Sequence, residues 1–587
     1  MNKKISKALF GIVLCTGFGF ASHGPDVGLH PSYSLMTLRP TGFEPAVSGM
    51  DFLPNGDLIL ITWRGTSGPL VKDPVTGIDK TGIRTGTPKV YRVTNTQGTD
   101  KSAIMATEVA VGFKDAQGLC VVNGDIYVGD VNRIIKLVDA DGDGKYEGKV
   151  EIGKIPSYDG WFEYSFGPVY KEGKFYMALA VNVGAGGWVV DQHGKDRGTV
   201  VTVPLAGGAY TVVDEGLRAP DGIVLGPDNE IFVTDNQGGW RPSSQFHHVV
   251  PGRFFGYKTE PQGPIRTAVN SEVTPPAIWT PHAEANESPT EPSLMKAGPY
   301  AGQLIYGDIG RGGIYRAYLE KVDGEYQGGV IPFSGGLEVG VHRIRTGPKG
   351  EIYIGGLGAD MHSNQGWNNT TFGLQKLTPN GNATFEILSA RSRAKGMELE
   401  FTLPVGSVGE TVSNYAVQQW WYKPTIDYGG PKQEVQTRTV KSVQVSPDRK
   451  KVFLEIDGLK TGQVVFISTK NLVSDDNKPL WYAKTWYTLN AISSTQPFEV
   501  PVVAVKAANL EPSNNFLRVE RLTGSVKVGL PEGVEFHVSL VDFQGKTVSV
   551  RSGARNSVEF SASELNPGVY FLRAVGGGHT LTESFCF

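Results

Sequence analysis

Hard oxygen donors recur at alternate positions in one short segment: Asp139, Asp141 and Asp143, with Gly142 and Gly144 for a sharp bend and Glu147 after them. Such a set suits Ca²⁺, which takes several carboxylate and carbonyl oxygens in a flexible cage. Val150 stands where an EF-hand loop would close with Glu, and no helical pattern flanks the segment. Closure at Glu147, within a hairpin between the apolar runs IIKLV and KVEIG, fits the spacing better. The same residues also make an ordinary solvated Asp/Gly turn. A second group lies in GLRAPDGIVLGPDNEIFVTDNQGGWRPSSQFHH: Arg218, Asp221, Asp235, Asn236, Trp240, His247 and His248. These flank apolar strands, and strand ends are where a rigid scaffold presents chemistry. A third group sits in the Pro-rich stretch PPAIWTPHAEANESPTEPS, with Trp279, His282, Glu284 and Asn286. His282 beside Glu284 reads as a base held by a carboxylate, or as a loop histidine bonded to backbone.

The elements that must position these groups are Gly-rich hairpins. Pro227-Asp228-Asn229 turns GIVLGP into EIFVTDN, and such residues set tight turns. Similar hairpins begin at Gly49, Gly118, Phe166, Gly302 and Ile344. Six copies without a helical period cannot each bury both sheet faces alone. Radial stacking solves this, and the pattern predicts an all-β protein with a six-bladed β-propeller over residues 40–385. Gly184-Ala-Gly186-Gly lacks a following helix and reads as a blade connection. No G-x-S-x-G, H-E-x-x-H or phosphate-loop motif occurs.

Lys3, Lys4 and Lys7, an apolar run from Ala8 and the small residues Gly19 and Ala21 have the order of a secretory signal over residues 1–21. Leu14 before Cys15 does not suit a lipid anchor. Removing three lysines takes the formal net charge from −3 to −6, which with no basic stripe argues against nucleic acid. Only Cys120 and Cys586 then remain, so the fold is not disulfide-stapled.

The propeller region resembles the sorbosone and soluble glucose dehydrogenase superfamily, over about residues 40–490. The likeness rests on LRAPDGIVLGPDNEIFVTDNQG, on PHAEANESP with GPYAGQLIYGDIGRGGIYRAYLE, and on IYVGDVNRIIKLVDADGDGKYE. It implies pyrroloquinoline quinone as cofactor, Ca²⁺, a carbohydrate substrate and a separate electron acceptor. Arg218 becomes a cofactor-facing cation, with Asp221, Asp235 and Asn236 beside it, and His282 a pocket histidine oriented by Glu284. Ala219 departs from the family's usual Asn. Phe162 stands at the family's catalytic histidine position in SYDGWFEYSFGP, so Glu163 or His282 must substitute for it, or the reaction is not catalysed.

Two small β-sandwich domains are expected after the propeller. Residues 386–492 resemble an Ig-like sandwich, with Trp420, Trp421 and Tyr422 as packing or, less simply, sugar-stacking aromatics. A linker over 493–514 leads to residues 515–587, where LNPGVYFLRA resembles the C-terminal sorting domains of type IX secretion and implies contact with that machinery. Three functions stay open: an exported sugar or polyol dehydrogenase, a non-catalytic surface propeller binding carbohydrate or protein, and a carbohydrate hydrolase or lyase on the same scaffold. The expected location is outside the cytoplasm of a Gram-negative bacterium, secreted, periplasmic or on the outer surface. No transmembrane segment is expected.

Overall fold

The computed structural model describes residues 26–63, 65–72, 79–156, 164–181, 194–257, 273–357 and 372–498, and strands of the tail within 518–586. Residues 1–25, with the expected signal, lie outside the described residues. Secondary structure among the described residues is almost entirely strand, interrupted by short 3₁₀ turns. No described helix is long and apolar enough to cross a membrane.

Six four-stranded antiparallel blades follow one another. Their first strands are Val47–Phe52, Gly118–Val122, Ser165–Lys171, Pro220–Leu225, Ser293–Leu294 and Val341–Thr346. Each first strand neighbours the next around the ring, and the sixth returns to the first, so the propeller is closed. Blade 6 takes its fourth strand from the other end of the chain: Tyr33–Thr37 pairs with Phe372–Pro379, from Tyr33↔Pro379 to Thr37↔Gln375. The first strands crowd one another near the axis. A Cβ on Gly49 would lie 2.6 Å from the Gly118 Cα, and one on Gly118 would strike the Gly167 carbonyl. Glycine there is a condition of close approach.

Apolar side chains fill the spaces between blades. Ile59 and Ile61 of blade 1 meet Leu119, Ile126 and Val128 of blade 2, all buried. Each such side chain contributes roughly 1.5–3 kcal/mol on burial. Five of the six hairpins seen in the sequence join a blade's first and second strands. The copy at Gly302 is offset: Leu304–Gly307 and Ile314–Val322 are the second and third strands of blade 5. The first strand of that blade is only Ser293–Leu294, too short to show a hairpin pattern.

The sandwich is built into the propeller. One of its sheets runs Ile387–Arg393, Gly396–Phe401, Lys451–Ile456, Val440–Val445. The other, Lys484–Leu489, Gln463–Thr469, Tyr415–Tyr422 and Lys432–Arg438, continues from the last strand of blade 5 to make one eight-stranded sheet. The joining register is Gly329↔Tyr487 and Val330↔Trp486. Trp420 and Trp486 are buried in the shared core, as packing residues.

A buried polar clasp fastens the same corner. The Ser32 N–H donates to His30 Nδ1 at 3.1 Å, so Nε2 carries the proton and donates to Glu386 at 2.9 Å. Arg316 reaches the other Glu386 oxygen at 3.2 Å, and the Tyr300 hydroxyl donates to the first. Residues 500–587 form a second unit. It holds a three-stranded sheet of Arg518–Leu522, Ser525–Gly529 and Ser557–Ser561, and a four-stranded sheet of Thr547–Ala554, Phe536–Asp542, Val569–Gly576 and His579–Cys586.

Candidate functional site

Asp235 ends the second strand of blade 4, opposite Pro220 in register. Its carboxylate accepts the backbone N–H of Arg218 at 3.0 Å and of Ala219 at 2.8 Å, and pairs with Arg241 Nε at 2.7 Å. Blade 2 repeats the device: Asp130 accepts the N–H groups of Lys114 and Asp115, each at 3.0 Å. Blade 5 does so with Asp308, which accepts from Glu287 at 2.6 Å, Ser288 at 3.1 Å, Gly310 at 2.8 Å and Arg311 at 3.0 Å. A carboxylate at the end of a second strand thus ties down the chain entering the first. Asp235 is fully buried in this role. Asn236 is also engaged, donating to the Ala219 carbonyl at 3.1 Å and accepting from Ser288 Oγ at 3.2 Å. Both were expected beside a cofactor, and in the fold their polar atoms are hydrogen-bonded to the chain itself.

Arg218 is buried as well. Its Nη1 donates to the Gln237 carbonyl at 2.7 Å, and its guanidinium lies 5.3 Å from the centre of the Tyr428 ring. Tyr428 belongs to an arm between two sandwich strands. Backbone hydrogen bonds pin that arm to blade 4: Trp240 N–H to Thr425 O at 2.6 Å, Gly429 N–H to Gly238 O at 3.1 Å and Gly430 N–H to Pro242 O at 3.0 Å. Among the described residues, Arg218 is therefore covered by the Tyr428 arm.

Asp221 lies at the propeller axis. Its carboxylate is 3.3 Å from His342 Nε2 and 3.3 Å from Arg343 Nη1. Arg343 also donates to Ser48 O at 2.7 Å and Gln117 O at 3.1 Å, lies over the Phe166 ring at 5.4 Å, and is 3.7 Å from Glu291. One guanidinium, itself on blade 6, so touches the other five blades. A buried cation is tolerable only with such compensation. The sequence did carry a signal: Arg343 and Arg345 alternate in VHRIRT, so one face of a first strand bears charge. Arg345 uses it to pair with Glu291 at 2.8 Å.

His282 and Glu284 sit on the loop from blade 4 to blade 5 but do not act together. Glu284 pairs with Lys432 Nζ at 2.5 Å and accepts from Trp486 Nε1 at 3.3 Å, both on the sandwich. The groups around His282 are instead the Asp308 carboxylate, the Glu287 backbone and the Arg311 guanidinium. The residue is exposed, yet desolvation lowers the imidazole from its usual value, against the pull of Asp308. Burial, then the Asp308 carboxylate, pushes Glu287 up. Glu163 and Phe162 lie outside the described residues.

In the acidic hairpin, carboxylate oxygens of Asp139, Asp141 and Glu147 lie within 4.8 Å of one another. Asp139 is braced by the N–H groups of Gly142 at 2.7 Å and Gly144 at 2.9 Å. Asp143 stands apart from that group and turns to Lys145, accepting its N–H at 2.8 Å, with Nζ 3.8 Å away. Of the four expected ligands, Asp139, Asp141 and Glu147 are the three that the fold brings together. Their donor type suits Ca²⁺.

The family described as Secretion system C-terminal sorting domain matches residues 512–586. The tail is such a domain, and marks an exported protein. No curated protein matches the chain. Among solved structures, the chain is similar to the PQQ-bound form of aldose sugar dehydrogenase from Streptomyces coelicolor, at 13% identity over 60% of this chain and 100% of that one, with TM-score 0.37. It is similar to the holo form of the pyranose dehydrogenase PQQ domain from Coprinopsis cinerea, at 9% identity over 61% and 100%, with TM-score 0.39. A third likeness is to regucalcin, a calcium-binding protein from Agrobacterium tumefaciens, at 11% identity over 59% and 93%, with TM-score 0.34. Scores this low carry no argument about activity, and the propeller assignment rests on strand pairing.

Proposed function

We propose that this protein is an exported propeller directed at carbohydrate on the outer cell surface, binding rather than oxidising through the position the resemblance assigns to the quinone. One observation supports this above others: Tyr428 and its pinned arm cover Arg218. Asp221, Asp235 and Asn236 are likewise engaged by the chain itself. These four residues do not fit pyrroloquinoline quinone, and no step is derived through it. Delivery to the surface is supported by the sorting domain, which lies in the second unit, beyond residue 499. We also propose that Asp139, Asp141 and Glu147 hold Ca²⁺ as a structural ion.

A second reading, oxidation of a carbohydrate hydroxyl, is favoured by His282 alone. Its imidazole would accept the hydroxyl proton while the hydride of the same carbon passes to a separate two-electron acceptor, with Asp308 stabilising the imidazolium that forms. One experiment tests both. Purified full chain is titrated by calorimetry with a broad sugar panel, and dye reduction is followed with and without quinone and Ca²⁺. Saturable sugar binding without turnover supports the first reading. Turnover that falls about a hundredfold in His282→Ala supports the second, and no binding and no turnover overturns both.

A further inference from the structure

Blades 4 and 5 meet along a seam next to the loop that carries His282. Blade 4 brings its third and fourth strands, Ser244–His248 and Ile278–Thr280, paired Ser244↔Thr280 and Phe246↔Ile278. Blade 5 brings its second and third strands, paired Tyr306↔Tyr315. Phe246 meets the Tyr306 ring at 4.9 Å, and the Tyr306 and Tyr315 rings stack at 5.5 Å. Phe246, Ile278, Ala285, Tyr306 and Tyr315 belong to one buried cluster. Alternate residues of a strand share a face, so Thr280 is turned towards this cluster with Ile278. Asn286 directly follows Ala285 in the loop.

This apolar seam carries polar atoms that the chain does not satisfy. Thr280, Asn286, Tyr306 and Tyr315 are all fully buried. Thr280 Oγ1, both side-chain polar atoms of Asn286 and the two tyrosine hydroxyls have no hydrogen-bond partner among the described residues. Buried side-chain polar atoms of native folds are mostly bonded, to protein or to ordered water. Leaving one unbonded costs roughly five- to a hundredfold in the folding equilibrium. Four such side chains in one seam call for a common occupant.

The lining selects its chemistry. Three hydroxyls and one amide are neutral groups that both donate and accept. Burial, then the Asp308 charge, pushes both tyrosine hydroxyls up, so they keep their protons. Asp308 has both oxygens engaged by backbone N–H groups. A divalent cation would therefore lack free carboxylate donors, and an anion would meet the Asp308 charge. An apolar guest would leave every one of these atoms unbonded. Water is the smallest neutral molecule that donates and accepts, and it needs two to four such partners.

We propose that this seam is an internal water site, in which ordered water bonds Tyr306 and Tyr315 of blade 5 to Thr280 and Asn286 and so fastens the His282 loop. The proposal rests on neither reading of the protein's activity. Crystals of the full chain, measured with and without xenon pressure, test the occupant. Water within hydrogen-bond distance of both tyrosine hydroxyls and of Asn286 is expected, with no xenon, because xenon enters dry apolar cavities. Tyr306→Phe and Tyr315→Phe keep the rings and remove the hydroxyls. Each should lower the folded-to-unfolded ratio about fivefold, the worth of one hydrogen bond. Each should also speed deuterium exchange at the Ala283 amide, whose acceptor is the Asn286 carbonyl. Xenon in the seam, or these side chains bonded directly to protein, overturns the proposal. So does stability that both variants leave unchanged or raise, as loss of an unbonded hydroxyl would, or Ala283 exchange that neither alters. A larger guest, seen as added mass by native mass spectrometry and as density at the tyrosines, overturns it as well.

Discussion

Arg343 and Asp221 join blade 6 to blade 4 across the axis of the ring, Nη1 to Oδ1 at 3.3 Å. Because the same guanidinium holds Ser48, Gln117 and Glu291 as well, it works as a hub between sheets that share no hydrogen-bonded strand edge. Arg343→Met would leave Asp221 and Glu291 short of compensation in a buried place. Removing one partner of such a set costs about 3–5 kcal/mol. Denaturant unfolding should show that loss with little change in far-UV circular dichroism.

Tyr428→Ala should uncover Arg218. In the wild type, Arg218 should resist phenylglyoxal, and in the variant it should react, as read by peptide mass spectrometry. The lost ring–cation contact is worth about 0.5–2 kcal/mol, a small shift in melting temperature. Tyr428→Phe keeps the ring and should behave as wild type. The uncovered variant is also the form in which to test quinone binding, which the wild type should lack.

Calcium should raise the melting temperature of the wild type but not of Asp141→Ala or Glu147→Gln. Asp143→Ala should still respond, because Asp143 is engaged with Lys145 rather than with the three-carboxylate group. A calcium titration by differential scanning fluorimetry distinguishes these outcomes. Equal loss in all three variants would restore the four-carboxylate set.

Glu386 should govern part of the acid sensitivity. Desolvation would raise its pKa, but the His30 hydrogen bond and the Arg316 charge together outweigh it and hold the carboxyl below its ordinary 4.5. A folded value below the unfolded one gives stability that is present above pH 4.5 and is lost as pH falls through the folded value. Melting temperature should therefore fall steeply below that pH in the wild type. Glu386→Gln should be less stable at neutral pH and show a shallower acid decline.

The strand-rich class, the six hairpins and the sorting tail were legible because each is a local pattern: alternation, a Gly or Asn turn, a motif. What Asp235 does was not legible. An acid after IFVT looks equally like a ligand and like a brace, and only its counterparts Asp130 and Asp308, braced in the same way, decide for the brace. Glu284 misled for the opposite reason. Nearness to His282 in sequence suggested a pair, while the sandwich, far along the chain, supplies Lys432 and Trp486 as its real partners. The Tyr428 cover has no local signature at all, since its target is set by how the sandwich extends blade 5.

The strand borrowed by blade 6 imposes an order of events on the living molecule. Residue 33 can find residue 379 only after the whole ring has emerged, and closing a loop of about 350 residues costs about 5 kcal/mol in chain entropy. Until then Phe372–Pro379 offers a bare sheet edge, the kind that recruits stray strands. Newly exported chains should thus pass through a slow, aggregation-prone interval in which a holdase can matter. The sorting domain at 512–586 follows every ring strand. Any chain that presents it already contains both halves of the closing pair, so the delivery signal doubles as a receipt for a completable ring.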